Sequence, residues 1–289
     1  MDVAVHAHGE PGYPSVLASD HEAPDVLFST GDLAALDAPR VTIVGGRQCT
    51  HYGRDVSRRL GRDLAELGVC IVSGLALGID GAAHEGATSV RGAPPVAVVG
   101  SGLDVPYPRR HARLWQEVAA RGCILSEAPL GAPPAPWRFP LRNRILAALA
   151  QVLVVVESRV ASGTQYTIDA AASRGIPVMA VPGPIHSQMS EGPNRLLREG
   201  CAPVLGVDDI LDVLHLSHGT TAEARDRRAP PARCDERVLA AVDWTPTPVD
   251  SICRRTGQRP TEVAVALAHL EIDGWITGQG GWWTRLAPP

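Results

Sequence analysis

Arg142 and Arg144 stand either side of Asn143 in the run Phe139-Pro140-Leu141-Arg142-Asn143-Arg144, directly before an apolar stretch that ends in valines. A guanidinium is planar, permanently charged and forked, so it grips a phosphate through two parallel hydrogen bonds. Cations in the first turn of a helix also oppose its dipole, at a cost of about 0.3–1 kcal/mol each. The pair therefore asks for an anion, unless surface ion pairs with neighbouring carboxylates already neutralise it. Phe139, one of two phenylalanines in the chain, offers either a ring face for a nucleobase or a core-filling side chain.

Four glycine-bearing loops add contacts of the same kind. Gly45-Gly46-Arg47, Ser73-Gly74, Gly100-Ser101-Gly102 and Ser162-Gly163-Thr164 lie at the ends of β-branched runs. Glycine lets a ligand approach the backbone, and the free N–H groups of a following helix start can donate to an anion. None of the loops is a dinucleotide fingerprint: after Gly45 and Gly46 the next glycine is Gly53, too late for G-x-G-x-x-G. All 27 basic residues are arginine, which excludes a Walker lysine. Read singly, each loop is a tight strand-to-helix turn; read together with residues 139–144, they describe a phosphate-lined groove.

Catalytic readings are open at two places. Ser73, Asp80 and His84 suggest a hydrolase, with Asp80 and His84 one helical turn apart and able to hydrogen-bond. Asp80 is equally placed to cap a helix start, and Ser73 lacks the G-x-S-x-G elbow, so helix-start architecture is favoured over a triad. Glu157 and Asp169 flank the loop of Ser162, Gly163 and Thr164. They read either as an acid/base pair or, for Glu157, as the polar end of a buried strand.

The elements that must position these groups are legible from periodicity. Residues 41–46, 69–74, 95–102, 123–127, 152–158 and 177–183 are short β-branched runs of the kind buried on both faces of a sheet. Amphipathic helical patterns alternate with them, as at Val56, Leu60, Leu64 and Leu67. This predicts an α/β fold: a Rossmann-like, doubly wound, mostly parallel sheet, with the glycine loops along the carboxyl edge where such sheets bind ligands. Residues 1–215 form this core, polar residues 216–233 a linker, and 234–289 a small winged-helix domain of three helices and a hairpin turning at Gly280-Gly281. A net charge of -4 requires any polyanion to be met by a local patch. Six scattered cysteines without a C-x-x-C pair exclude a zinc knuckle and a disulfide framework, and place the chain in a reducing cytoplasm. His6 and His8 lack a third ligand, so no metal is expected. No apolar run reaches the roughly 18 residues of a membrane span.

The blocks "VTIVGGR", "GVCIVSGLALGIDGAAHEGA", "VAVVGSGLDVPYP", "LSEAPLG", "FPLRNRILAALA", "VVVESRVASGT" and "VMAVPGPI", in this order and spacing, resemble the DNA-processing protein A family (DprA, also called Smf). The resemblance spans about residues 13–215, and 234–286 is similar to the winged-helix domain that many members carry. It implies a Rossmann-like core that binds single-stranded DNA, usually as a homodimer, protects incoming strands in natural transformation and helps load the RecA recombinase. No turnover and no cofactor are implied. The chain departs from the family pattern at Gly45-Gly46-Arg47 in place of G-S-R, at Leu77 where many members are basic, and at residues 162–168. Two other readings stand beside it. One is a nucleotide phosphoribohydrolase-like enzyme of the same fold superfamily, for which Gly163, Thr164 and Asp169 are a partial echo. The other is a transcription regulator acting through the winged helix, which carries little basic character apart from Arg254, Arg255 and Arg259.

Overall fold

The computed structural model describes residues 2–216, 228 and 230–286, so most of the expected linker at 216–233 lies outside the described residues. The chain divides into two compact units, Met1–His218 and Gly219–Pro289.

In the larger unit the strands are β1 (Ala4–Ala7), β2 (Val26–Gly31), β3 (Arg40–Val44), β4 (Cys70–Ser73), β5 (Val96–Val99), β6 (Cys123–Ser126), β7 (Val152–Val155), β8 (Val178–Ala180) and β9 (Ala202–Pro203). The helices are α1 (Ser15–Ala18), α2 (His51–Glu66), α3 (Ile79–Thr88), α4 (Ala112–Arg121), α5 (Arg138–Leu149), α6 (Thr164–Ser173), α7 (Glu191–Arg198) and α8 (Val207–Val213). The sheet order is β1-β2-β6-β5-β4-β3-β7-β8-β9. From β6 through β9 every pairing is parallel, whereas β1–β2 and β2–β6 are antiparallel. The sheet is thus mostly parallel, as its sequence predicts, with an antiparallel edge built from the lead-in segment.

Alternation along the strands explains why they read as unbroken apolar runs. Val41, Ile43, Ile71, Val152 and Val154 face a layer that includes Leu60 and Leu64 of α2, Ala83 of α3 and Ile210 of α8. Val44, Val72, Leu153 and Val155 face the opposite layer, with Leu17 of α1, Ile145 and Leu149 of α5, Ile168 of α6 and Leu196 of α7. Each such side chain contributes roughly 1.5–3 kcal/mol when fully buried. On the first of these faces α2 and α3 pack with backbone close to backbone. A Cβ on Gly61 would meet the carbonyl carbon of Ala83 at 3.0 Å, and one on Gly86 would meet the carbonyl carbon of Arg58 at 2.8 Å.

Strand order reverses between β3 and β7, where an open α/β sheet normally has its binding crevice. Here that crevice is stitched shut. Gly46 N–H donates to the Glu157 carbonyl oxygen at 2.6 Å, and a Cβ on Gly45 would stand 2.6 Å from the same oxygen. The opening moves one strand over, above β4 and β5.

In the smaller unit α9 (Arg233–Ala241), α10 (Val249–Thr256) and α11 (Pro260–Ile272) enclose a core that includes Val238, Ile252, Val263, Leu267 and Leu270. The hairpin β11 (Ile276–Gln279) and β12 (Trp282–Arg285) forms the wing, and β10 (Thr247–Pro248) adds a third strand beside β12. Gly280 and Gly281 both have positive φ, 57° and 82°, as a two-residue hairpin turn of this twist requires.

Candidate functional site

The loops beyond β3, β4 and β5 wall a cavity of about 40 Å³, lined by Arg47, Gly74, Ala76, Leu77, Val99, Gly100, Ser101, Tyr107, Pro108, Phe139 and Arg142. Its floor is made possible by absent side chains. A Cβ on Gly74 would run into the guanidinium of Arg142 and stand 2.6 Å from a carboxylate oxygen of Asp80. Gly78, with φ 83°, leaves room for the backbone of Arg47, and Leu75 holds the left-handed conformation at φ 52° although it is not glycine.

Arg142 is 6 % exposed. It is the fifth residue of α5, a turn deeper than a helix-start position, because the helix begins at Arg138 and carries Pro140 in its first turn, where a missing N–H has no cost. One terminal nitrogen of Arg142 donates to the Val98 carbonyl oxygen, and its Nε has no hydrogen-bond partner. Burial pushes the guanidinium down to about 10, against the attraction of Asp80, so it remains charged at neutral pH. Asp80 is itself buried. Burial raises its pKa, while Arg142 and the N–H groups of Ala76 and Gly74 pull it the other way.

Aromatic groups form the mouth. The Arg47 guanidinium carbon lies 4.7 Å from the Phe139 ring centroid, and the Tyr107 and Phe139 centroids are 5.7 Å apart with their planes tilted by 36°. Phe139 is therefore a rim residue, half-buried against Gly100, and not a core filler. Tyr107 escapes a reading based on glycine loops; its signal is the Tyr-Pro pair that follows Gly100-Ser101-Gly102.

The other predicted residues serve different ends. Arg144, two positions along α5, pairs with Glu127 at 2.6 Å, so the fold itself supplies the anion that this arginine asked for. Asn143 donates to the Gly163 carbonyl oxygen at 3.1 Å and ties α5 to the Ser162-Gly163-Thr164 loop, which does not line the cavity. Within that loop Ser162 Oγ is buried without a partner, and Thr164 is a buried first residue of α6. Gly102 N–H donates to Ala132 O at 2.9 Å, and Ser101, which lines the cavity, donates from Oγ to Val105 O at 2.8 Å; both bonds shape the loop after β5.

Neither catalytic arrangement assembles. Ser73 is fully buried and donates to the Ile43 carbonyl oxygen at 2.6 Å. His84 is fully buried, and burial pushes it down to about 4 against the opposing pull of the Ser73 backbone. Glu157 is buried and accepts from Thr50 N–H at 2.8 Å and Thr50 Oγ at 2.7 Å, fixing the start of α2. Asp169 sits exposed on α6 and accepts from Gln165 at 2.7 Å. The two carboxylates of the expected acid/base pair thus anchor separate elements. Among the described residues no cluster of three or more metal-ligating side chains is present, and no helix is long and apolar enough to cross a membrane.

Comparison with known proteins agrees with this architecture. Residues 4–215 match the family model of DNA recombination-mediator protein A, and residues 222–281 match that of the DprA winged helix domain. The chain is 38 % identical over 281 residues to Protein Smf of Escherichia coli, covering 95 % of this chain and 75 % of that one. It is 39 % identical over 271 residues to the putative DNA processing protein DprA of Mycobacterium tuberculosis, covering 91 % and 69 %. The crystal structure of DNA processing protein A from Streptococcus pneumoniae superposes with a TM-score of 0.69 at 36 % identity, over 72 % of this chain and 73 % of that one. The Helicobacter pylori protein, described by its single-stranded DNA binding mode, superposes with a TM-score of 0.66 at 29 % identity, over 74 % and 95 %. With both units matched in order, and relatives aligned along nearly the whole chain, this protein belongs to the DNA recombination-mediator protein A family.

Proposed function

We propose that the larger unit binds single-stranded DNA in the cavity beyond β3, β4 and β5. In this reading the protein protects such strands in recombination or DNA uptake and helps load a RecA-type recombinase on them, as a cytoplasmic homodimer and without catalytic turnover. The observation that carries the reading is Arg142: a buried cation lining an open cavity, with its Nε unpartnered. An unsatisfied buried donor costs about 1–3 kcal/mol, more when charged, and a phosphate oxygen is a natural partner for it. The mouth favours nucleic acid over a free anion, because Tyr107 and Phe139 offer ring faces beside Arg47. Stacking on such faces needs unpaired bases, hence a single strand and not a duplex. Likeness to the Helicobacter pylori protein points the same way.

Fluorescence-anisotropy titration with labelled single-stranded and duplex oligonucleotides at several salt concentrations tests the proposal. A preference for single strands is expected, with a logarithmic salt slope of roughly -0.7 per contacted phosphate. Equal affinity for duplex, or none for single strands, would reject it. No multiple-turnover release of phosphate or free base from ATP or nucleoside monophosphates is expected. Release abolished by Asp169→Asn or Glu157→Gln would restore the hydrolase reading. Recombinase loading is tested by whether the protein speeds filament formation on strands already coated with a single-strand-binding protein.

A further inference from the structure

We propose that the outer face of α11, the apolar ridge Val265–Ala268–Ile272, docks an amphipathic helix of another protein, one whose apolar seam ends in lysine or arginine beside Ile272. The site lies in the smaller unit and does not depend on the cavity of the larger one.

α11 is apolar on two sides. Val263, Ala266, Leu267 and Leu270 belong to the core of the smaller unit. Ala264, Val265, Ala268 and Ile272 are exposed, Val265 by 56 % and Ile272 by 83 %. A surface helix ordinarily sets polar groups opposite its core stripe, and one that is apolar all round is covered on both sides. The neighbouring α10 follows the ordinary pattern, with Asp250, Arg254 and Arg255 exposed. Along α11 the outer residues Thr261, Val265, Ala268 and Ile272 recur at intervals of four, three and four, the seam of a two-helix packing. The short side chain of Ala268 leaves room for a larger one from the partner helix.

Charge decides the chemistry of that partner. In a helix-turn-helix the helix in the place of α11 would enter the major groove of a duplex. Yet α11 holds two glutamates, Glu262 and Glu271, and no arginine. Glu262 is neutralised by Arg259 at 2.6 Å, and His269 faces Asp235 at 3.3 Å. Glu271 uses one oxygen to accept from Gly278 N–H at 3.0 Å. Asp273 follows Ile272 directly at the carboxyl end, where the helix dipole is also negative. The nearby Arg228 is engaged by the Trp275 ring and by the Gly274 and Leu286 carbonyl oxygens. Ile272 therefore stands at a negative end, which repels phosphates and attracts an ammonium or a guanidinium.

The test uses the full chain and a labelled peptide of about 20 residues, long enough to form a helix, with leucine along one seam and lysine flanking it. A second peptide keeps the seam and carries glutamate flanks. The lysine peptide should bind saturably, gain helical circular dichroism and bind more weakly as salt rises, whereas the glutamate peptide should not bind. Val265→Lys/Ile272→Lys puts good helix formers on the surface and should melt like the parent. Its affinity for the lysine peptide should fall by at least about tenfold, because both apolar side chains of the ridge are lost. Glu271→Gln/Asp273→Asn keeps the ridge and should lose about threefold, with a weaker salt dependence. No saturable binding, equal binding of the two peptides, or parent affinity in either double variant overturns the proposal. A sharp drop in the melting temperature of Val265→Lys/Ile272→Lys also overturns it, because a part of the same chain would then cover the ridge. Self-association of the parent that this variant abolishes would make a second copy the occupant, and duplex binding lost with it would make the occupant nucleic acid; either result rejects a partner helix.

Discussion

The guanidinium of Arg47 lies over the ring of Phe139, 4.7 Å from its centroid. Arg47 comes from the loop after β3 and Phe139 from the first turn of α5, and each covers the surface with which the other would meet DNA. A cation–π contact at an exposed site is worth about 0.5–1 kcal/mol, little enough for a strand to displace. Phe139→Leu should then weaken single-strand binding by about 1–3 kcal/mol with the salt slope intact. Arg47→Ala should instead flatten the slope by about 0.7. Isotherms at several salt concentrations separate the two; a slope change in Phe139→Leu, or none in Arg47→Ala, would contradict these roles.

Arg142 and Arg144 should behave differently although both stand in one six-residue run. Arg144→Ala breaks the partly buried pair with Glu127, so it should lower the melting temperature and leave DNA affinity close to the parent's. Arg142→Ala removes a buried charge that attracts Asp80 and should lower both stability and DNA affinity. Adding Asp80→Asn should recover part of that stability without recovering DNA affinity. Thermal melts beside binding isotherms decide; DNA affinity lost in a fully stable Arg144→Ala protein would show that its guanidinium reaches the strand.

His84 should make the fold acid-sensitive in a defined window. Its folded pKa of about 4 lies below the ordinary 6.5 because burial disfavours the cation. Between those values the unfolded chain binds the extra proton, so stability is full above about pH 6.5 and lost as pH falls toward about 4, by on the order of 3 kcal/mol. Asp80, raised by burial, runs the opposite way, so the informative quantity is the parent's profile minus that of His84→Leu. Urea unfolding from neutral pH to mildly acid pH measures it. A difference that does not change across the window would mean that His84 titrates normally.

Residues 1–215 should fold and bind single strands without the winged unit, since every cavity-lining residue belongs to the larger unit. Circular dichroism establishes the fold, and anisotropy the affinity. A folded fragment that binds about tenfold more weakly, a loss of ~1.4 kcal/mol, would assign the winged unit a direct part in DNA binding.

The order of strands and helices was legible in the sequence because it rests on local periodicity. Val41-Thr42-Ile43-Val44 and Val152-Leu153-Val154-Val155 read as buried strands because parallel strands bury both faces. The Gly280-Gly281 turn was legible because only that backbone conformation closes a two-residue hairpin. The antiparallel edge of β1 and β2 was not, since edge pairing depends on which neighbour is left unpaired. At the site, sequence supplied the residue types but not their destinations. Arg142 and Arg144 are two positions apart, which on a helix of 3.6 residues per turn points them roughly 200° apart. One therefore enters the cavity over β5, and the other meets Glu127. Likewise Glu157 and Asp169 look paired along the chain, but Thr50 and Gln165 claim them separately. Tertiary structure alone decided where the sheet opens. The Gly46–Glu157 backbone bond closes the β3–β7 crevice, and the glycines at 74 and 78 leave the space above β4 into which Arg142 and the Arg47 backbone fit. Those contacts join residues far apart in the chain, and packing, not periodicity, determines which of them form.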